Sequence, residues 1–141
     1  MALFLDTSSL VKLFVQEQAS ADVERAVAAD LDLHVGCLTA HEFLSALQRK
    51  MRSNMLSPPE VVAIRAEFER MMASVSVVPF TETLSRRGMD LLGQYGREGL
   101  RTLDAIQLAC LQEVPGGRLA TSDQTLAAIA EKSGFRVDRY L

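Results

Sequence analysis

Five short runs of apolar and β-branched residues, separated by stretches with helical spacing, constrain the fold of this chain more than any other feature. Residues 2–5 (ALFL), 33–38 (LHVGCL), 75–80 (VSVVPF), 118–122 (RLATS) and 135–141 (FRVDRYL) read as strands. Between them, 7–18 carry Leu10, Leu13 and Phe14 at helical spacing, and 20–30 continue as a helix with Ser20 as its N-cap. Residues 39–54 place Phe43, Leu44, Leu47 and Met51 on one helical face. Ser57 and two prolines open a helix over 57–73. Further helices are expected over 81–96, over 101–114 where PGG stops the run, and over 123–134 where Gly134 closes it. Strands that alternate with helices predict an α/β fold, with a parallel sheet and helices on both faces. No repeat, low-complexity tract or linker interrupts the pattern, and 141 residues suit one domain, 1–141.

The totals exclude several classes. Hydrophobic residues make up 48% of the chain, too many for a disordered one. No apolar run is long enough to span a bilayer, and MALFLD has neither the basic start nor the long apolar stretch of a signal peptide. Cys37 and Cys110 lie in apolar segments without metal-ligand spacing, as reduced core residues of a cytoplasmic protein would. The net charge of −3 does not by itself mark a nucleic-acid binder. The basic residues are clustered, however: Arg49, Lys50 and Arg52 in QRKMR, and Arg86, Arg87, Arg97 and Arg101 further on. Such clusters form either a solvated helix face or a basic rim around an acidic centre.

The acids carry the chemistry. Asp6 and Asp123 follow strands, at the carboxyl ends where open α/β sheets bind ligands. Each also begins a helix, where Asp is a favoured N-cap. Glu42 stands three residues after Thr39, the spacing of a capping box. Asp104 is harder to explain. It sits in RTLDAIQLAC, with Leu100, Leu108 and Leu111 on its own face and no basic residue in the following turn. Thr102 as N-cap would put Asp104 in the first turn, where the helix dipole contributes about 0.3–1 kcal/mol. That falls short of the several kcal/mol of burying an unpaired ion.

Two carboxylates about 4 Å apart repel by roughly 4 kcal/mol at an effective dielectric near 20. Three or four in one cleft therefore need protons or a divalent cation. An all-oxygen donor set suits Mg²⁺ or Mn²⁺. Zinc is disfavoured, because His34 and His41 have no matching spacing with the cysteines. Metal-assisted phosphodiester hydrolysis uses such a constellation.

At these four segments the chain resembles the PIN-domain nucleases, and among them the VapC-type toxins of toxin–antitoxin pairs. LFLDTSSLVKLF looks like the family's opening strand, with its acid at Asp6 and a hydroxyl at Ser8. LTAHEFLSALQRK looks like the helix of the second acid, Glu42, and LRTLDAIQLAC like the D-A-x-x-L-A helix of the third, Asp104. LATSDQTLAAIAEKSGFRV looks like the [ST]-x-D segment, with Thr121 and Asp123. The motifs occur in the family's order and span essentially the whole chain.

The resemblance implies a three-layer α/β/α PIN-like fold with parallel strands in the order 3-2-1-4-5. It implies Mg²⁺- or Mn²⁺-dependent cleavage of RNA, a homodimer and a small antitoxin partner. Asp6, Asp104 and Asp123 would hold the metal directly or through water, with Glu42 completing the catalytic acids and orienting or deprotonating the attacking water. Ser8 and Thr121 would hydrogen-bond the acids or their waters. Arg49, Lys50, Arg97 and Arg101 are candidates for phosphate contacts. One departure stands out: the acid that some members carry shortly after [ST]-x-D is missing from QTLAAIA, and with it part of a second metal site. A non-catalytic PIN-fold interaction module and a housekeeping RNA-processing nuclease are the alternatives. DTSSL lacks the second Asp of a D-x-D phosphatase, VSVVPFTE lacks a receiver's acceptor Asp, and no G-x-G-x-x-G or G-K-[ST] occurs.

Overall fold

The computed structural model describes residues 2–29 and 32–141. In chain order the elements are β1 (Leu3–Leu5), α1 (Thr7–Phe14), α2 (Ser20–Ala29), β2 (Leu33–Val35), α3 (Thr39–Arg52), α4 (Pro58–Met72), β3 (Ser76–Val77), α5 (Glu82–Tyr95), α6 (Thr102–Gln112), β4 (Arg118–Thr121), α7 (Gln124–Lys132) and β5 (Arg136–Arg139). The five strands form one parallel sheet, as the alternation predicts, in the order β3-β2-β1-β4-β5 that the resemblance implies.

Alternation along the central strands builds the three layers. Leu3 and Leu5 of β1 and Ala120 of β4 join α1, α3 and α4 in one core. Phe4 and Leu119 point the other way, into a second core with α5, α6 and α7. All five residues are buried almost completely. In the first core Phe43 stacks on Phe68 with ring centres 4.1 Å apart, and Phe14 meets both edge-on at 5.3 and 6.0 Å. Such packing adds about 0.5–1.5 kcal/mol per pair beyond burial.

Several elements are shorter than periodicity predicts, each for a local reason. β2 stops at Val35 because Gly36 starts a turn, with Thr39 N–H donating to Gly36 O and Gly36 N–H donating to Thr39 Oγ1. At the sheet edge β3 shrinks to two exposed residues, and Pro79, which has no N–H to donate, follows the last ladder bond from Val78 N–H to Val35 O. α1 ends at Phe14, after which Val15 is extended. Ser20 does not cap α2. It is the first helical residue, preceded by Ala19 in the left-handed region, and its hydroxyl accepts from Glu17 N–H and donates to Val15 O. The predicted end of that helix at Asp30 lies outside the described residues.

Between β1 and β4 the strand order reverses, which opens a crevice at the carboxyl ends. The ladder pairs Leu5 with Ala120, and Asp6 N–H extends it by donating to Ala120 O at 3.0 Å. The first and last of the four candidate acids, Asp6 and Asp123, therefore emerge from adjacent strands.

Candidate active site

Asp6 is buried at the foot of this crevice, 7% exposed. Its Oδ1 accepts from Thr7 N–H at 2.8 Å, as an N-cap of α1 does. Its Oδ2 accepts from two hydroxyls, Ser8 at 2.7 Å and Thr121 at 2.8 Å. The Ser8 and Thr121 oxygens in turn accept from Ser122 N–H and Asp123 N–H, so α1 and the β4–α7 turn are locked together around one carboxylate. Asp123 caps α7 by accepting from Leu126 N–H at 2.9 Å. The capping readings of Asp6 and Asp123 thus hold, and they leave the remaining lone pairs of both carboxylates for other partners.

Glu42 forms no capping box. α3 begins at Thr39 with Leu38 as its N-cap, so Glu42 is one residue too deep to reach back. Its Oε1 instead accepts from Thr7 Oγ1 at 3.2 Å and from Gln107 Nε2 at 3.1 Å. Both bonds fall on Oε1, and Oε2 has no hydrogen-bond partner among the described residues.

Asp104 is not swallowed by its helix. The apolar shell starts one residue later, at Ala105, and continues through Leu108 to Leu111, while the first turn projects beyond the sheet with Leu103 45% exposed. Arg101, not Thr102, is the N-cap, and its N–H donates to Asp104 Oδ2 at 3.3 Å. Asp104 therefore stands half-buried on the wall of an open cleft of about 600 Å³, facing Glu42, Asp123 and Arg101. Asp6 does not line this cleft; it lies beneath it.

Three of the four acids are pushed above the usual carboxylate range. For Asp6 burial is the main cause and the Asp123 charge adds to it, against the pull of the Ser8, Thr121 and Thr7 donors. Burial also raises Glu42, helped by the charge of Asp6. Asp104 is raised by burial and then by Asp123, with Arg101 only partly offsetting both. In these three acids burial first, and then a neighbouring carboxylate, disfavours the charged form, the electrostatic signature of a cluster short of positive charge. Oxygen-only donors short of positive charge fit a hard divalent cation. Among the described residues no three His, Cys, Asp or Glu side chains converge closely enough to share one ion as they stand.

The basic candidates separate. Arg101 lines the acid cleft and Arg49 lines the adjoining groove, whereas Lys50 is held by Glu17 at 2.8 Å. Arg97, in the turn after α5, lines neither cavity.

Sequence reasoning missed Gln107, which ties the acids to the scaffold. It is 4% exposed, and its Nε2 reaches Thr7 Oγ1 (3.2 Å) and Thr39 Oγ1 (3.1 Å) as well as Glu42. The available signal was that Gln107 is the one polar side chain in AIQLACL, three residues after Asp104. Gly36 makes room for it, since a Cβ there would lie 2.6 Å from Gln107 Oε1. Gly36→Ala should therefore cost about 1–3 kcal/mol by overpacking, read as a lower denaturation midpoint in urea. An unchanged midpoint would mean that Gln107 is free to move.

An acid cleft at a topological switch point, built from four segments of a three-layer sheet protein, defines the PIN-type arrangement. Residues 3–132 match the PIN domain family, and the chain belongs to that family. It is 29% identical over 127 residues to Ribonuclease VapC3 of Pyrobaculum aerophilum, covering 90% of this chain and 93% of that one. It is 31% identical over 138 residues to Ribonuclease VapC46 of Mycobacterium tuberculosis, covering 96% and 95%. In fold it is similar to Mycobacterium tuberculosis VapC20, described as a sarcin-ricin loop cleaving toxin, with a TM-score of 0.76 at 20% identity, covering 98% and 99%. Other solved structures with this fold are toxin–antitoxin complexes.

Proposed function

We propose that this protein is a divalent-metal-dependent endoribonuclease of the VapC type, the toxin of a toxin–antitoxin pair. The observation that carries the reading is the set of four acids from separate segments around one crevice, three of which burial and neighbouring carboxylates push above the usual carboxylate range. Family membership and the curated ribonuclease relatives support it. A small antitoxin partner belongs to the same reading, supported by the toxin–antitoxin complexes that share the fold, and a homodimer is expected with it from the family resemblance.

Asp6, Asp104 and Asp123 would hold Mg²⁺ or Mn²⁺ directly or through water; such an ion, when bound, lowers the pKa of a ligated water and screens the phosphate charge. The chain's own residues do the rest. Glu42, its Oε1 fixed by Thr7 and Gln107, offers Oε2 to take the proton of the attacking water. Burial shifts its pKa toward neutrality, where a general base works best. Ser8 and Thr121 fix the Asp6 carboxylate, and Arg101 and Arg49 draw the anionic backbone over the crevice. Cleavage of total RNA with Mn²⁺, lost in EDTA, is the direct test; a folded, partner-free protein that leaves all RNA intact would overturn the reading.

Metal should also stabilise the fold in a pH-dependent way. Because the folded state raises the pKa of Asp6, Glu42 and Asp104, the metal-free protein gains stability when they are protonated. It loses that stability as pH rises through their folded values. A bound cation favours the charged forms. The increase in melting temperature on adding Mn²⁺ should therefore be largest at neutral to alkaline pH and vanish in acid. A pH-independent increase would place the ion elsewhere.

A further inference from the structure

Beside the acid cleft lies a second cavity, a groove of about 480 Å³ between α1 and α3. It is within the ~300–1,000 Å³ range of small-molecule sites and has room for a nucleoside. Val11 and Leu103 supply apolar walls, and His41, Ser45 and Arg49 edge it. The last three are spaced four apart on α3 and form one exposed stripe. Glu42 and Leu103 line both the groove and the cleft, so the two cavities share a wall. Leu103, the residue before Asp104, is a large apolar side chain left 45% exposed at this junction. Arg49 forms no ion pair among the described residues, unlike its neighbour Lys50, and presents a planar cation to an anionic ligand.

We propose that the groove takes one unstacked base of a single-stranded RNA, next to the phosphodiester presented to the acids. The inference rests on the ribonuclease reading and gives it a specificity determinant. RNA is read in sequence chiefly where bases are splayed out, against apolar, aromatic or guanidinium surfaces and with hydrogen bonds to their edges. Here Leu103 and Val11 contact the base faces, the Ser45 hydroxyl and His41 imidazole bond its edge, and Arg49 meets the flanking phosphate. The nuclease therefore selects the base at one position beside the cut, while the acids act on any phosphodiester.

The test uses full-length protein carrying Asp104→Asn, so that RNA stays whole, and short single-stranded RNAs with 2-aminopurine at each position in turn. One position alone should brighten on binding, as its base leaves the stack. Ser45→Phe fills the groove from an exposed helix position and should abolish that signal while circular dichroism stays native. In the otherwise wild-type enzyme, Ser45→Phe should change the preference between bases at that position by about 10-fold or more in kcat/KM. Equal or absent signals at all positions, or a signal indifferent to Ser45→Phe, would overturn the proposal, as they would if a protein segment fills the groove. The two readings fail separately: Mn²⁺-dependent cleavage with silent probes removes the groove assignment alone, and a reporting position without cleavage removes the nuclease alone.

Discussion

Asp104→Asn is expected to reduce RNA cleavage by more than about 100-fold, beyond the ~10–100-fold typical of groups that only support a metal ligand. In EDTA it should also raise the melting temperature by a few degrees. The first effect follows because Asn keeps the shape of the side chain but loses the charge that draws a cation to the cleft wall. The second follows because Asp104 is repelled by Asp123 and Asp6 and partly desolvated, with only Arg101 against those effects. The amide oxygen can still accept the Arg101 N–H, so the start of α6 loses little. Stability sacrificed for a charged site is a known trade-off. Cleavage assays with melting curves in EDTA and in Mn²⁺ read both effects. A variant that stays active, or melts lower without metal, would contradict the assigned role of Asp104.

Gln107→Ala should damage both the fold and the site. It opens a cavity in α6 and removes the donor from Glu42, Thr7 and Thr39 at once. A loss of about 2–4 kcal/mol is expected from the cavity and the unpaired groups together. For a chain of this size that corresponds to a fall of roughly 6–15 °C in melting temperature. Activity measured well below that temperature should also fall, because Glu42 then keeps only Thr7 as an anchor. Gln107→Glu sets a further carboxylate against Glu42 and should destabilise more at neutral pH than in acid. Thermal denaturation at two pH values separates repulsion from lost packing; equal losses at both would rule repulsion out.

Periodicity and strand brevity made the architecture legible. Runs such as ALFL and RLATS are too short to be helices, and the acids that follow them mark the carboxyl edge before any coordinate is known. Strand order was not readable from the pattern itself; it came with the resemblance. The acids were readable as a set, but their supports were not. Thr7 and Thr39 look like ordinary helix-start residues, and Gln107 looks like an interruption in an apolar run. Their roles depend on contacts 100, 68 and 65 residues apart in the chain. Asp104 misled in the opposite direction. Spacing on a helical wheel shows which residues share a face, not where along its axis a helix leaves the core, and α6 leaves it at its first turn.

The pairing of β1 with β4 also has a consequence during synthesis. Thr121 and Asp6 are 115 residues apart, and until the fourth strand emerges from the ribosome the first can pair only along its β2 edge. A nascent chain that stops short of β4 carries Asp6, Glu42 and Asp104 without Asp123 or the strand that forms the other side of the crevice. The site is assembled only after β4 and Asp123 have been translated, and such long-range closure is among the slower steps a small domain undertakes.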